Sequence, residues 1–438
     1  MVKEINISDN SKKEIPQEEP IVIKTEETVE KPIQEKEPKE LQLPKQQKPK
    51  KEKKVLNFKF KNLILPIVAV LTLSGIALFY YFGIYKATPL NPAEVLPFNT
   101  NFISSIASAK QFVTNLTLLS KPEEPRTEES PLNGVLFTKS EMDILQSRRP
   151  VAVMINNHAA ARPQSGLNSA DIVIEANVES GITRYMAIFW SEAPEKVGPI
   201  RSIRQYYLEW LSEYDPIVIH DGCASSDDVR VNACGNIYLY GIKDIGTLGA
   251  WRWDDGRRYA PHNEYSSVEY AWEYAKKVDW DSFPTIESWE FKNDSDISLR
   301  GDGETVEVTF HTRLNNGELY DAIWTYDATT NSYFRKVGGQ ADMDQETSTQ
   351  VSAKNVVIQE VEMINTGDDK AHIILTTIDE GDAIFLIDGN IEYGTWKKTS
   401  RTDRTTYYDS KGDEIEFNRG RIWISVIPHS VGKFDILE

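Results

Sequence analysis

Apolar and polar positions are distributed unevenly, and the first long stretch has no apolar pattern. Met1–Lys54 is built from Glu, Lys, Pro and Gln with almost no aromatics. Such a segment buries too little to offset the entropy of ordering it, so disorder is expected. Leu63–Ile84 then runs for 22 residues without a charge. As a helix it would reach about 33 Å, against a hydrocarbon core of about 30 Å. One transmembrane helix is expected there, with Pro66 in its first turn and Tyr80, Tyr81 and Tyr85 at its far interface. The lysines at 45, 48, 50, 51, 53, 54, 59 and 61 precede the span and Lys86 follows it, which keeps the N-terminus in the cytoplasm.

Beyond the span, residues 85–131 read as a stalk and linker ending in K-P-E-E-P-R-T-E-E-S-P. Over residues 132–294 strand and helix patterns alternate. Val151–Ile155 has the character of a buried strand, Asp171–Val178 and Thr183–Trp190 flank a Ser180–Gly181 turn, and Gln205–Tyr214 and Val268–Val278 have helical spacing, with Pro216–His220 a short strand. From 295 to 438 the pattern becomes short β runs between turns, among them Val306–His311, Ser332–Val337, Asn355–Met363, Ala383–Ile387, Ile391–Lys397 and Arg421–Ile427. The expected architecture is α+β: a mixed α/β domain over 132–294 and a mostly antiparallel β domain over 295–438, preceded by a disordered tail over 1–62 and the membrane helix over 63–84.

Charge changes the picture in one respect. Residues 1–62 hold fifteen lysines and twelve carboxylates, so the remainder is more acidic than the overall −18. An acidic folded region argues against nucleic acid as a partner. The two cysteines, Cys223 and Cys234, exclude a disulfide-dense scaffold and a four-cysteine zinc site. They either pair or stay as two small buried thiols.

Candidate chemistry gathers in the first folded half. Asn157 and His158 follow the Val151–Ile155 strand, a common ligand position in α/β folds. On the next strand, alternation sets Glu175, Asn177 and Glu179 opposite Ile172, Ile174 and Ala176. Paired carboxylates can act as acid and base or hold a divalent cation, although the sequence requires none; a solvated face crossed by a salt bridge from Arg184 is the plainer reading. In G-P-I-R-S-I-R, Ser202 is placed to cap the following helix, with Arg201 and Arg204 as anion ligands at its N-terminus, or else paired with Glu175, Glu179 or Asp221. His220-Asp221 and the run Arg257 to Asn263, with Arg258 and His262, complete the set. No H-E-x-x-H, G-x-S-x-G, Walker or G-x-G-x-x-G pattern is present.

The segments R-P-V-A-V-M-I-N-N-H, A-R-P-Q-S-G-L, A-D-I-V-I-E-A, G-I-T-R-Y-M-A-I-F, G-P-I-R-S-I-R and A-P-H-N, with A-K-N-V-V-I-Q, D-G-N-I-E-Y-G-T-W-K-K and G-R-I-W-I-S-V-I-P further on, carry a resemblance to the YerB-type family of bacterial lipoproteins. Its members join an N-terminal and a C-terminal domain of unknown function, and the resemblance implies an envelope location. No lipobox cysteine lies near the N-terminus; the apolar span stands in its place. A weaker likeness to LytR-CpsA-Psr phosphotransferases would make Asp171 a cation ligand and Arg201, Arg204, Arg257 and Arg258 diphosphate ligands, but the P-R-D turn of that family is missing. Two functions are therefore expected: an extracytoplasmic scaffold or binding protein for an anionic envelope ligand or envelope protein, or an envelope enzyme acting on phosphate-linked or glycan substrates with Glu175, Glu179, His220, Asp221 or His262 in catalysis.

Overall fold

The computed structural model describes residues 124–313 and 317–437. The expected tail and the 63–84 span lie outside them. Among the described residues no helix is long and apolar enough to cross a membrane. The fold is α+β, with many strands and few helices.

Numbering only the strands of three or more residues in the two larger sheets, the first half contributes β1 (Val151–Asn156), β2 (Ile172–Asn177), β3 (Thr183–Phe189), β4 (Ile217–Ile219) and β5 (Lys243–Gly246). Its helices are α1 (Lys139–Leu145), α2 (Gln205–Leu211), α3 (Ala233–Leu239) and α4 (Val268–Lys277). The second half supplies β6 (Thr305–Thr309), β7 (Ala322–Asp327), β8 (Ser332–Val337), β9 (Asn355–Val361), β10 (Glu380–Ile387), β11 (Asn390–Lys397), β12 (Thr406–Asp409), β13 (Ile422–Pro428) and β14 (Lys433–Leu437).

One ten-stranded sheet runs in the order β12-β11-β10-β9-β13-β2-β3-β1-β4-β5. It crosses the division set at residues 294 and 295: β13 lies parallel to β9 on one side and to β2 on the other, with Ser425 opposite both Ile358 and Glu175. The two halves of the sequence thus share one sheet. Its strands β1, β2, β3 and β13 are buried along their whole length because both faces are covered. Ile172, Ile174, Met186 and Ile188 pack under α1, α2 and α3, while Val173, Tyr185, Ala187 and Val153 pack under α4 and the second sheet, which contains β8-β7-β6-β14. All described residues belong to one compact unit. Its core is closed by elements from within it, so this region is able to fold without the segments before it.

The segment expected to be linker up to residue 131 is partly structured: Arg126–Glu129 pairs with Leu136–Thr138 ahead of α1. Thr138 and Glu141 form a reciprocal capping box at the start of α1. The Ser180–Gly181 turn is present, with φ of 64° and 67°. The aromatics of the second half are chiefly core: Trp324, Tyr333, Trp396, Tyr407 and Trp423 are all buried.

Candidate functional site

Strands β1 and β4 are parallel neighbours, so their C-terminal ends open on the same edge of the sheet. Asn156, Asn157 and His158 leave one end, and His220, Asp221 and Gly222 leave the other. Residues 198–204 are laced across this edge by backbone hydrogen bonds: Asn156 N–H donates to Pro199 O (2.8 Å), Arg201 N–H to Met154 O (2.9 Å) and Asp221 N–H to Arg201 O (3.1 Å). Gly198 has φ of 143°, and a Cβ there would stand 3.0 Å from Glu264 O, so a side chain would strain the loop.

This lacing brings two histidines together. Asn156 Oδ1 accepts from His158 N–H (2.9 Å), which fixes its amide so that Nδ2 faces His262 Nδ1 at 3.0 Å. His158 Nδ1 accepts from Ala160 N–H at 3.1 Å. Both rings thus use Nδ1 as an acceptor and, when neutral, carry the proton on Nε2. They stack with centroids 4.3 Å apart and planes 17° from parallel. Burial holds both below the ordinary imidazole value, helped by Arg162 and Arg201 at His158 and by His158 and Arg201 at His262.

Arg201 itself is half-buried, and its Nε is fully buried without a hydrogen-bond partner. Among the described residues its guanidinium forms no ion pair within 4.0 Å. Nearby, Glu264 is pushed up by burial and then by the charge of Asp221 beside it. Glu264 also accepts from Arg252 at 2.6 Å. The cluster is therefore one uncommitted cation, two neutral Nε2–H donors and a carboxyl pair.

Other candidates are drawn into structural roles. Glu175 is wholly buried and held by Arg335 at 2.7 and 2.9 Å, by Thr183 at 2.8 Å and by Asn157, so the solvated acidic face expected on that strand does not exist. Glu179 takes Arg204 in a two-point ion pair (2.5 and 2.7 Å), which removes Arg204 from anion binding. Helix α2 begins at Gln205 with Arg204 as its cap residue; Ser202 is not the cap, because the chain stays extended there and its hydroxyl donates to Asp221 O at 2.7 Å. Arg184 donates to Ser202 O at 2.5 Å and thereby supports the loop; burial, with Arg204 beside it, lowers it to about 10. Arg258 is buried against Tyr265, Pro163 O and Gln345, and Asn263 accepts from Arg252 at 3.2 Å. His220 is buried, with Nδ1 2.7 Å from Gly222 O and Nε2 3.0 Å from Asp244. Arg257 is exposed beside Asp255 at 3.2 Å.

Asp171 accepts from Asn133 (2.6 Å), Trp190 N–H (2.7 Å), Ser191 N–H (3.0 Å) and the Ser191 hydroxyl, so its oxygens are committed to protein donors. Among the described residues no three His, Cys, Asp or Glu side chains gather as metal ligands would. Cys223 and Cys234 are bonded, Cα to Cα 5.2 Å, which ties the loop after β4 to α3. Glu264 escaped the sequence reading: it lies on a two-residue strand and nothing local marks it, although it directly follows the A-P-H-N segment.

Comparison with known proteins fits this architecture. Residues 137–281 match the N-terminal domain of the family described as protein of unknown function (DUF3048), and residues 306–424 match its C-terminal domain. YerB of Bacillus subtilis (strain 168), whose name marks it as a candidate lipoprotein, is 32% identical over 308 residues, covering 70% of this chain and 88% of that protein. The crystal structure of YerB from Bacillus subtilis superposes with a TM-score of 0.59 at 28% identity, over 70% of this chain and all of that one. With both domains matched in order and a relative aligned along most of its length, the chain belongs to the DUF3048 family.

Proposed function

We propose that this chain is a membrane-anchored, extracytoplasmic protein of the bacterial cell envelope that binds an anionic ligand at Arg201, His158 and His262. The anchor reading is supported by the uncharged 22-residue run with lysines before it, and by the lipoprotein name of its relative. One observation carries the ligand reading: Arg201 is a guanidinium with a buried, unsatisfied Nε, set where two Nε2–H donors are also held in place. A bound oxyanion would give the accessible part of this half-buried guanidinium charge-assisted partners, hydrogen bonds worth roughly 1.5–3 kcal/mol each.

Glu264, pushed up by burial and by the neighbouring Asp221, favours a second reading, an envelope enzyme for phosphate-linked or glycan substrates, since a carboxyl that holds its proton more firmly beside an anion site is suited to acid–base transfer. Titration calorimetry of the 124–438 fragment with pyrophosphate separates these outcomes. Binding is expected to tighten from pH 7.5 to pH 5.5 with proton uptake, because an anion raises the depressed histidines. Arg201→Ala is expected to weaken it about tenfold or more, roughly 1.4 kcal/mol. Phosphate release by the same sample would move the assignment to the enzyme; no binding at either pH would remove the site.

A further inference from the structure

We infer that the ligand of this site is an anionic amphiphile, its charged head on Arg201, His158 and His262 and its apolar chain in the cleft between residues 159–163 and 319–343. The inference rests on the anion-binding reading above and names the ligand class.

The cleft has a volume of about 390 Å³ and is walled mainly by Ala159, Pro163, Leu319, Val337, Ala341 and Met343. That size falls within the ~300–1,000 Å³ range of small-molecule sites. Leu319 and Met343 are 45% and 38% exposed, so apolar surface is left facing solvent there. One end of the cleft is cationic, through Arg162, and lies beside His158 in the chain. Ala159 directly follows His158, and Arg162, which lines the cleft, bears on His158 electrostatically.

Arg162 is held rigidly at that junction. Its Nε donates to Asn157 Oδ1 at 3.0 Å, its Nη2 donates to Asn157 O at 3.0 Å and Leu319 O at 2.8 Å, and its Cζ lies 5.4 Å from the centroid of the Tyr320 ring. The remaining nitrogen, Nη1, points at Gly338 in the cleft wall, 3.2 Å from where a side chain would begin. Positive charge at one end and apolar walls at the other fit a molecule with the opposite layout: an anionic head and a hydrocarbon tail. A small soluble anion would leave the cleft unused, and a neutral lipid would leave Arg201 unsatisfied.

The test uses the detergent-free 124–438 fragment and three probes: inorganic phosphate, decyl phosphate below its micelle concentration, and decanol. Decyl phosphate is expected to bind at least about tenfold more tightly than phosphate. Ala341→Trp, an exposed position on the cleft wall away from the histidines, is expected to abolish that gain and leave phosphate binding unchanged, whereas Arg201→Ala weakens both anions. Equal affinity for phosphate and decyl phosphate overturns the amphiphile and leaves the anion site standing, as does a gain that survives Ala341→Trp. Decanol binding as tightly as decyl phosphate overturns the proposed head contact. Failure of both anions to bind removes the site itself.

Discussion

Arg335 is wholly buried and meets Glu175 on one side and Asp342 at 2.5 Å on the other, with the rings of Tyr185, Trp324 and Trp423 around it. Burial pushes both carboxyls up, while the same two groups, outweighing burial, hold the guanidinium above its ordinary range. A desolvated ion group is stable only while every charge is matched, and breaking one costs about 3–5 kcal/mol. Glu175→Ala is expected to destabilise the 124–438 fragment by that amount in urea unfolding, and a loss below about 1 kcal/mol would show that Arg335 is satisfied without it. Strand alternation correctly separated Glu175 from Ile172 and Ile174. Its burial was not legible, because Arg335 lies 160 residues downstream and local sequence carries no trace of a second sheet on that face. His158 and Arg201 were legible as candidates, His158 because it follows a strand end and Arg201 because it leads into a helix. Their alignment through Asn156 was not, since it depends on a single amide orientation.

Loops, more than helices, build the candidate site, and the disulfide governs one of them. Ile203 N–H donates to Gly222 O at 2.9 Å and Ala224 N–H to Ile203 O at 3.2 Å, so the 201–204 strip is hydrogen-bonded to the segment that Cys223 ties to α3. Closing a loop of this size is worth about 3 kcal/mol in the chain-entropy view. The Cys223→Ser/Cys234→Ser double variant is expected to lose about that much stability and to speed amide exchange at Ile203 and Ala224. Unchanged exchange there would mean that the strip is ordered without the bridge. In the second half most strand boundaries were legible to within a few residues, because turn residues and alternation are local properties, although β14 was missed. Helices α1 and α3 were missed: each is as short as α2, at seven residues, but lacks the dense apolar spacing that Tyr206, Tyr207, Trp210 and Leu211 give α2. The expected cap at Ser202 failed for a different reason, since pairing with Cys223 keeps the chain extended until Arg204.

At the scale of the molecule, the ten-stranded sheet makes the two family domains mutually dependent. β13, from the C-terminal end of the chain, fills the gap between β9 and β2, making backbone pairs with both. Residues 124–294 alone would expose the edge of β2 and lose the cover of β7 and β8 over Tyr185. That fragment is expected to lack a cooperative thermal transition, and to regain one when co-expressed with residues 295–438; a sharp transition in isolation would show that the first half is autonomous. Strand runs in each half were legible, but their merger was not, because parallel pairing leaves no hairpin and no turn between partners. The position of β13 also sets the order of events during biosynthesis. Residues 422–428 are synthesised after both of the strands they join, so the central pairing forms only once β13 has followed β2 and β9. Until then the facing edges of β2 and β9 wait open, a stage at which wrong pairing and aggregation compete with folding.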